Sequence, residues 1–205
     1  MRRALLPIAA IVLAAFPLGV RPAAVSAAPL CFGKPATHVM HKGDPFFVGT
    51  AIDDVVVGSS GNDVMLLDAG GGVDRACGGP GNDSINVSGF GSIADGGTGN
   101  DHLDARSGAV AHGGAGDDSL FIANPGSQGY GDSGNDFLQA FGGANADGGS
   151  GDDNVGSVDA AALFGGSGSD LVTNGGGDPV IDCGSGTDTL NRNGATVFRR
   201  CEKIQ

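Results

Sequence analysis

The sequence predicts an all-β fold: a parallel β-roll or β-helix solenoid of nonapeptide repeats, closed by short irregular end caps. Three observations predict it. The first is a recurring phrase, Gly-Gly-x-Gly-x-Asp, followed by one residue and then an apolar one. It reads GGPGNDSI at Gly78–Ile85, GGTGNDHL at Gly96–Leu103, GGAGDDSL at Gly113–Leu120 and GDSGNDFL at Gly131–Leu138. It continues as GGSGDDNV at Gly148–Val155, GGSGSDLV at Gly165–Val172 and CGSGTDTL at Cys183–Leu190. The second is register. The closing Asp falls at 83, 101, 118, 136, 153, 170 and 188, in steps of 17 or 18 residues, and a fixed short period marks a stacked-repeat architecture. The third is composition. The 205 residues include 40 Gly and 22 Asp, against one Glu, one Tyr and no Trp. That excludes a large aromatic core, and Gly without a three-residue period excludes collagen. Disordered Gly-rich chains have no reason to keep a register.

Residues 1–27 read as a cleaved secretory signal peptide. Met1-Arg2-Arg3 is basic, Ala4 to Val20 is apolar, and Val25-Ser26-Ala27 supplies small residues before a cut ahead of Ala28. Pro7, Pro17, Gly19 and Arg21 interrupt the run, which is short for a membrane span, so no span is expected after cleavage. In an exported chain, Cys31, Cys77, Cys183 and Cys201 are expected to form disulfides. Three pairings are open. Cys31–Cys77 with Cys183–Cys201 is favoured, because each bond would staple a flank onto one end of the array. With no CxxC, a zinc site is not expected.

Residues 28–48 are expected to cap the first repeat, with His38 and His41 as solvated or packing residues. Residues 49–190 form the repeat domain. GTAIDDVV at Gly49–Val56 and GSSGNDVM at Gly58–Met65 place Asp54 and Asp63 nine residues apart, and a weaker copy brings Asp74. The unit is therefore nine residues, and the 17–18 residue step is two units. Every second unit has decayed. Its apolar position is Ala94, Ala111, Gly129 and Ala146, then Leu163 and Ile181. The strong units carry Ile85, Leu103, Leu120, Leu138, Val155, Val172 and Leu190 there. Residues 191–205 form a C-terminal cap, with Arg192, Arg199, Arg200 and Lys203 against Glu202, and Val197 and Ile204 are expected to cover the last coil.

These units imply a geometry. Gly permits backbone angles closed to other residues, so each motif makes a turn. The residues after it make a short strand whose middle side chain points inward. Two units complete a coil, and coils stack about 4.8 Å apart. Strong turns then lie above one another on a single edge, which carries a column of carboxylates. Between Gly43 and Asn191, 22 Asp face only Arg75 and Arg106. Such a surface repels nucleic acid and anionic membranes. Two carboxylates about 5 Å apart repel by about 3 kcal/mol at an effective dielectric of about 20. A hard divalent cation between turns reverses that sign. Ca2+ accepts six to eight oxygens in a flexible shell, whereas Mg2+ demands tighter geometry. The edge has no clustered Cys or His for zinc or copper. Several Ca2+ ions are therefore expected, with Asp63, Asp83, Asp101, Asp118, Asp136, Asp153, Asp170 and Asp188 as the metal-binding residues.

The repeated phrase resembles the haemolysin-type calcium-binding (RTX) nonapeptide, GGxGxDxUx with U apolar. The resemblance spans Gly49 to Leu190 and is most specific for the seven strong copies. It implies a parallel β-roll with calcium held between turns of alternate nonapeptides. The Cys31-Phe-Gly-Lys-Pro-Ala-Thr start and the Cys201-Glu ending are similar to small secreted bacterial calcium-binding repeat proteins. Toxins and proteases of the family add a large effector domain, which this sequence does not show. No HExxH, GxSxG, P-loop or EF-hand loop is present. The single GxGxxG, at Gly129–Gly134, is repeat phasing, and His102 and His112 are expected to face outward. No catalytic residue is assigned. Ser169 and Thr187 stand where other copies carry Asn or Asp, a position expected to offer mainly its carbonyl. The expected function is a secreted, non-enzymatic calcium-binding protein with a structural or surface-adhesive role, folding as calcium binds. The alternatives are a metal-independent solenoid whose Asp side chains satisfy turn amides, and a hydrolase built on the roll.

Overall fold

The computed structural model describes residues 27–67, 71–193 and 197–204. The signal-peptide segment, Ala27 apart, lies outside them. The described residues contain strands and turns and no helix. Apart from a small antiparallel pair, Leu30–Cys31 with Lys34–Pro35, the strands form two parallel sheets wound as one solenoid. The first sheet has ten strands, from Phe47–Val48 to Lys203–Ile204. The second has eleven and runs from His38–Val39 to Val197–Arg199. Strong turns lead from the second sheet to the first, and decayed turns lead back.

Repeat period fixes register. Leu103 pairs with Ile85 on one side and Leu120 on the other, and Ala111 lies between Ala94 and Gly129. Alternation along each strand buries one face, as in Ser119–Ala123, where Leu120 and Ile122 point inward. Large side chains of the first sheet meet small ones of the second. The pairing is tight at Gly129, where a Cβ would stand 2.4 Å from Ile122 Cγ1. Toward the C-terminus the sizes exchange. The first sheet turns Ser157 and Asn174 inward, and the second supplies Leu163 and Ile181, all four buried.

Turns depend on glycine. Gly99 has φ +120°, and a Cβ there would meet the Gly81 carbonyl oxygen of the preceding coil at 2.0 Å. Gly99→Ala is expected to cost more than about 2 kcal/mol, since backbone strain and a clash with a fixed carbonyl act together. Calcium-saturated thermal unfolding, compared with the open position Gly33→Ala, checks this.

Both favoured disulfides are present, Cys31–Cys77 and Cys183–Cys201, spanning 46 and 18 residues. The segment read as an N-terminal cap adds regular strands of its own. His38–Val39 pairs with Val56–Val57, and Phe47–Val48 pairs with Met65–Leu66. His38 stacks on Phe47, which makes it a packing residue, while His41 is exposed. At the other end, one expectation is corrected. Val197 continues the outward row of Val180 and is 64 % exposed. Its neighbour Phe198 instead stands over Ile181 and packs on the core. Ile204 does lie over Leu190, but as the end of the stack it remains 44 % exposed.

Candidate metal centre

Stacking of the strong turns brings the predicted carboxylates into one column, and each of the eight is almost fully buried. Their two oxygens do different work. From Asp83 to Asp188, Oδ1 of each Asp reaches back to the preceding coil and accepts the N–H of the Asp there. Asp83 accepts from Asp63 at 2.8 Å, Asp101 from Asp83 at 2.7 Å and Asp118 from Asp101 at 2.7 Å. Asp136, Asp153, Asp170 and Asp188 continue the ladder at 2.8–3.0 Å. Glu202 closes it, its Oε2 accepting the Asp188 N–H at 2.8 Å. The Cys183–Cys201 bond anchors the neighbouring residue.

Oδ2 has no partner. In Asp83, Asp101, Asp118, Asp136, Asp153, Asp170 and Asp188 it is buried and accepts no hydrogen bond. An unsatisfied buried charge is expensive, and here it recurs at every coil. In six copies this oxygen faces the first glycine of its own motif. A Cβ on Gly78, Gly96, Gly113, Gly131, Gly148 or Gly165 would stand 2.3–2.7 Å from it. The same point lies 2.1–2.8 Å from a main-chain carbonyl oxygen of the next coil. A carboxylate oxygen and a carbonyl oxygen thus converge on a spot that only glycine leaves open.

Two copies differ. Asp188 is preceded at the glycine position by Cys183, which is in a disulfide. Asp63 is preceded by Gly58, but its Oδ2 accepts the Ser59 N–H at 2.6 Å, and Ser59 Oγ donates to Oδ1 at 3.1 Å. Ser59 stands where the strong copies carry their second glycine, so a local turn satisfies the first carboxylate.

The electrostatics follow from this packing. Burial pushes Asp83 and Asp136 up from the usual 3.8 to about 6, and Asp118 and Asp153 to about 7. Backbone hydrogen bonds oppose the shift, and neighbouring Asp charges reinforce it. Asp101, Asp170 and Asp188 are raised for the same leading reason. No cationic side chain forms an ion pair with any of the eight among the described residues.

The opposite edge is chemically different. Asp74 Oδ1 accepts the Asp54 N–H at 2.9 Å, but in the next coil Ser92 Oγ accepts from Asp74, and further on Ser127 Oγ accepts from Gly108. Neutral hydroxyls there replace the carboxylates. Asp54 Oδ2 is satisfied locally by the Thr50 N–H at 2.6 Å.

One row is not foreseen from the sequence. In six copies the residue before the motif Asp accepts a main-chain N–H with its side chain. Asn62 Oδ1 accepts the Asn82 N–H, Asn82 accepts from Asn100, and Asn100 accepts from Asp117. Asp117, Asn135 and Asp152 carry this second ladder on to the Ser169 N–H. It runs opposite to the first, since each side chain reaches forward. The recurring Asn or Asp at this position is its signal.

Among the described residues, no three His, Cys, Asp or Glu side chains gather as a metal-binding group. A cation on this edge must therefore draw on one carboxylate per turn and on main-chain carbonyls. That donor set consists of hard oxygens, the chemistry Ca2+ takes, and the orphaned Oδ2 atoms supply the uncompensated charge.

Comparison with known families gives one match, to the RTX calcium-binding nonapeptide repeat, in four copies over residues 48–85, 87–109 and 110–121. No curated protein and no solved structure matches the chain. Beyond residue 121 the same Oδ1 ladder and orphaned Oδ2 continue through Asp136, Asp153, Asp170 and Asp188.

Proposed function

Given that the chain carries RTX calcium-binding nonapeptide repeats, we propose that it is a secreted, non-enzymatic protein whose fold is held by several calcium ions along one edge. Such repeats in a β-solenoid suggest a calcium-binding structural protein. The observation that carries the reading is the column of seven buried, unpartnered carboxylate oxygens. Asp83, Asp101, Asp118, Asp136, Asp153 and Asp170 have the full turn geometry and are the principal ligands. Asp188 serves at the disulfide-bonded end. Asp63 would have to give up its Ser59 hydrogen bond to take part. Bound calcium supplies positive charge between carboxylates that otherwise face one another without any. Export is supported by the leader-like N-terminus and by two disulfides. No helix among the described residues is long and apolar enough to cross a membrane. The role proposed for these repeats is structural or surface-adhesive.

The test is far-ultraviolet circular dichroism of the chain from Ala28, disulfides intact, first in EDTA and then with calcium restored. A cooperative gain of β signal is expected with calcium and not with magnesium. An unchanged β spectrum in EDTA would defeat calcium-driven folding. It would favour the second reading, a metal-independent solenoid, which the Oδ1 ladder supports because it already satisfies turn amides. Calorimetry of calcium binding then separates pre-folded calcium sites from none.

A further inference from the structure

We propose that the outer face of the second sheet holds a slot for an arginine side chain of a partner protein, with Asp147 as its carboxylate and Tyr130 and Phe164 as its walls. This goes beyond the calcium edge. Tyr130, Asp147 and Phe164 are register neighbours on three successive strands. Two strand spacings put the aromatic side chains about 9.6 Å apart, with the shorter Asp between them. The result is a cavity of about 150 Å³, also lined by Gln128 and Asn145.

One wall is held rigid. The far face of Tyr130 stacks on His112, centroids 4.8 Å apart and planes 11° from parallel. Its hydroxyl donates to Gln128 Oε1 at 2.7 Å. His112 Nδ1 lies 3.0 Å from Asp132 Oδ2. Asp132 holds φ +69°, at the position where the other strong copies have glycine. The repeat is thus broken, at a conformational cost, where a side chain braces the His112–Tyr130 stack.

The floor lacks a counterion. Asp147 takes part in none of the ion pairs among the described residues, and no Lys or Arg lines the cavity. Asp147 is half-buried on this face, and a cation in the slot supplies the opposite charge. Guanidinium suits the slot best, being flat, weakly hydrated and able to stack on an aromatic ring while its fork meets a carboxylate. In this slot it stacks on Tyr130 and donates to Asp147 and to the Asn145 amide oxygen, with its aliphatic stem against Phe164. The formal charge of −12 draws basic partners toward the surface.

Tyr130 is the sole tyrosine and there is no tryptophan, so intrinsic fluorescence reports on this wall alone. The experiment titrates acetyl-Gly-Arg-Gly-amide into the calcium-saturated protein, with acetyl-Gly-Gln-Gly-amide and a neutral disaccharide as comparisons. A saturable change in Tyr130 emission is expected with the Arg peptide only. Asp147→Asn and Phe164→Ala should each weaken it about tenfold or more, and Phe121→Ala, on the other sheet, should leave it unchanged. Calcium-dependent circular dichroism of each variant shows that the roll is intact. If Asp147→Asn disturbs the roll, Phe164→Ala alone decides. No response to the Arg peptide, an equal response to the Gln peptide, a response to the disaccharide instead, or full binding by Phe164→Ala would each overturn the assignment. A failure of the calcium reading appears separately, as a β spectrum indifferent to EDTA.

Discussion

Asp118→Asn is expected to shift stability in opposite directions with and without calcium. Asn keeps an oxygen for the Asp101 N–H, so the ladder bond of 2.7 Å survives. What changes is the other atom. In the metal-free chain Oδ2 of Asp118 is buried without a partner, and the charges of Asp101 and Asp136 add to its cost. Removing that charge should stabilise the metal-free fold by about 1–3 kcal/mol, the usual penalty of an unsatisfied buried polar group. With calcium present the same substitution deletes an anionic ligand from the middle of the column. Calcium affinity should fall about tenfold or more at the affected turns, and the calcium-loaded midpoint should drop. Thermal midpoints in saturating calcium, and in EDTA with sucrose added to populate the metal-free fold, measure both arms. Destabilisation of equal size in both conditions would assign the column to hydrogen bonding alone. Asp63→Asn provides the contrast, because Ser59 already satisfies that carboxylate. Its effect should be smaller in both arms.

The contrast between Asp63 and Asp118 also shows what is legible in the sequence. Period and residue type suffice to place the seven carboxylates from Asp83 to Asp188 on one edge, because a 17–18 residue coil stacks like positions whatever lies between, and Asp63 joins them across a 20-residue step. Alternation places Leu103 and Leu120 inward for the same reason. The division of labour between Oδ1 and Oδ2 is not legible. It depends on which donors the adjacent coil presents, and those lie 17 to 20 residues away. A single serine at position 59 distinguishes a satisfied carboxylate from an orphaned one, and its effect emerges only once the turn is built. The forward ladder from Asn62 to Ser169 is visible as a compositional habit, but its direction needs the register. Asp132 looks like a lapse in the repeat. Only the neighbouring strand shows that its side chain meets His112. In the tail, alternation carried past Ile181 selects Phe198 as the packing residue and turns Val197 outward.

Acidity should substitute in part for calcium. In the metal-free fold, burial raises Asp118 and Asp153 to about 7 and Asp83 and Asp136 to about 6, against 3.8 ordinarily. A carboxyl whose folded value is raised binds its proton more tightly in the folded state than in the unfolded state. Its contribution is therefore fully present below about pH 4 and is lost as pH rises through about 6 to 7. A tenfold gain in proton affinity on folding corresponds to about 1.4 kcal/mol, and several coupled groups act together. In EDTA, with the same sucrose present, the thermal midpoint should fall steadily from pH 5 to pH 8. Calcium reverses the slope, because it binds the ionised carboxylates and protons compete with it. At fixed subsaturating calcium, binding should strengthen across the same interval and release protons, and the midpoint should climb. The two curves should cross. Holding ionic strength constant excludes general screening of the 22 aspartates. Parallel curves would mean that Oδ2 meets neither proton nor calcium in the folded chain, and the orphaned column would lose its role. A crossing would identify proton and calcium as rival occupants of the same buried oxygens. A chain moving from neutral, calcium-rich surroundings to acidic, calcium-poor ones would then exchange one stabilising ligand for another without unfolding.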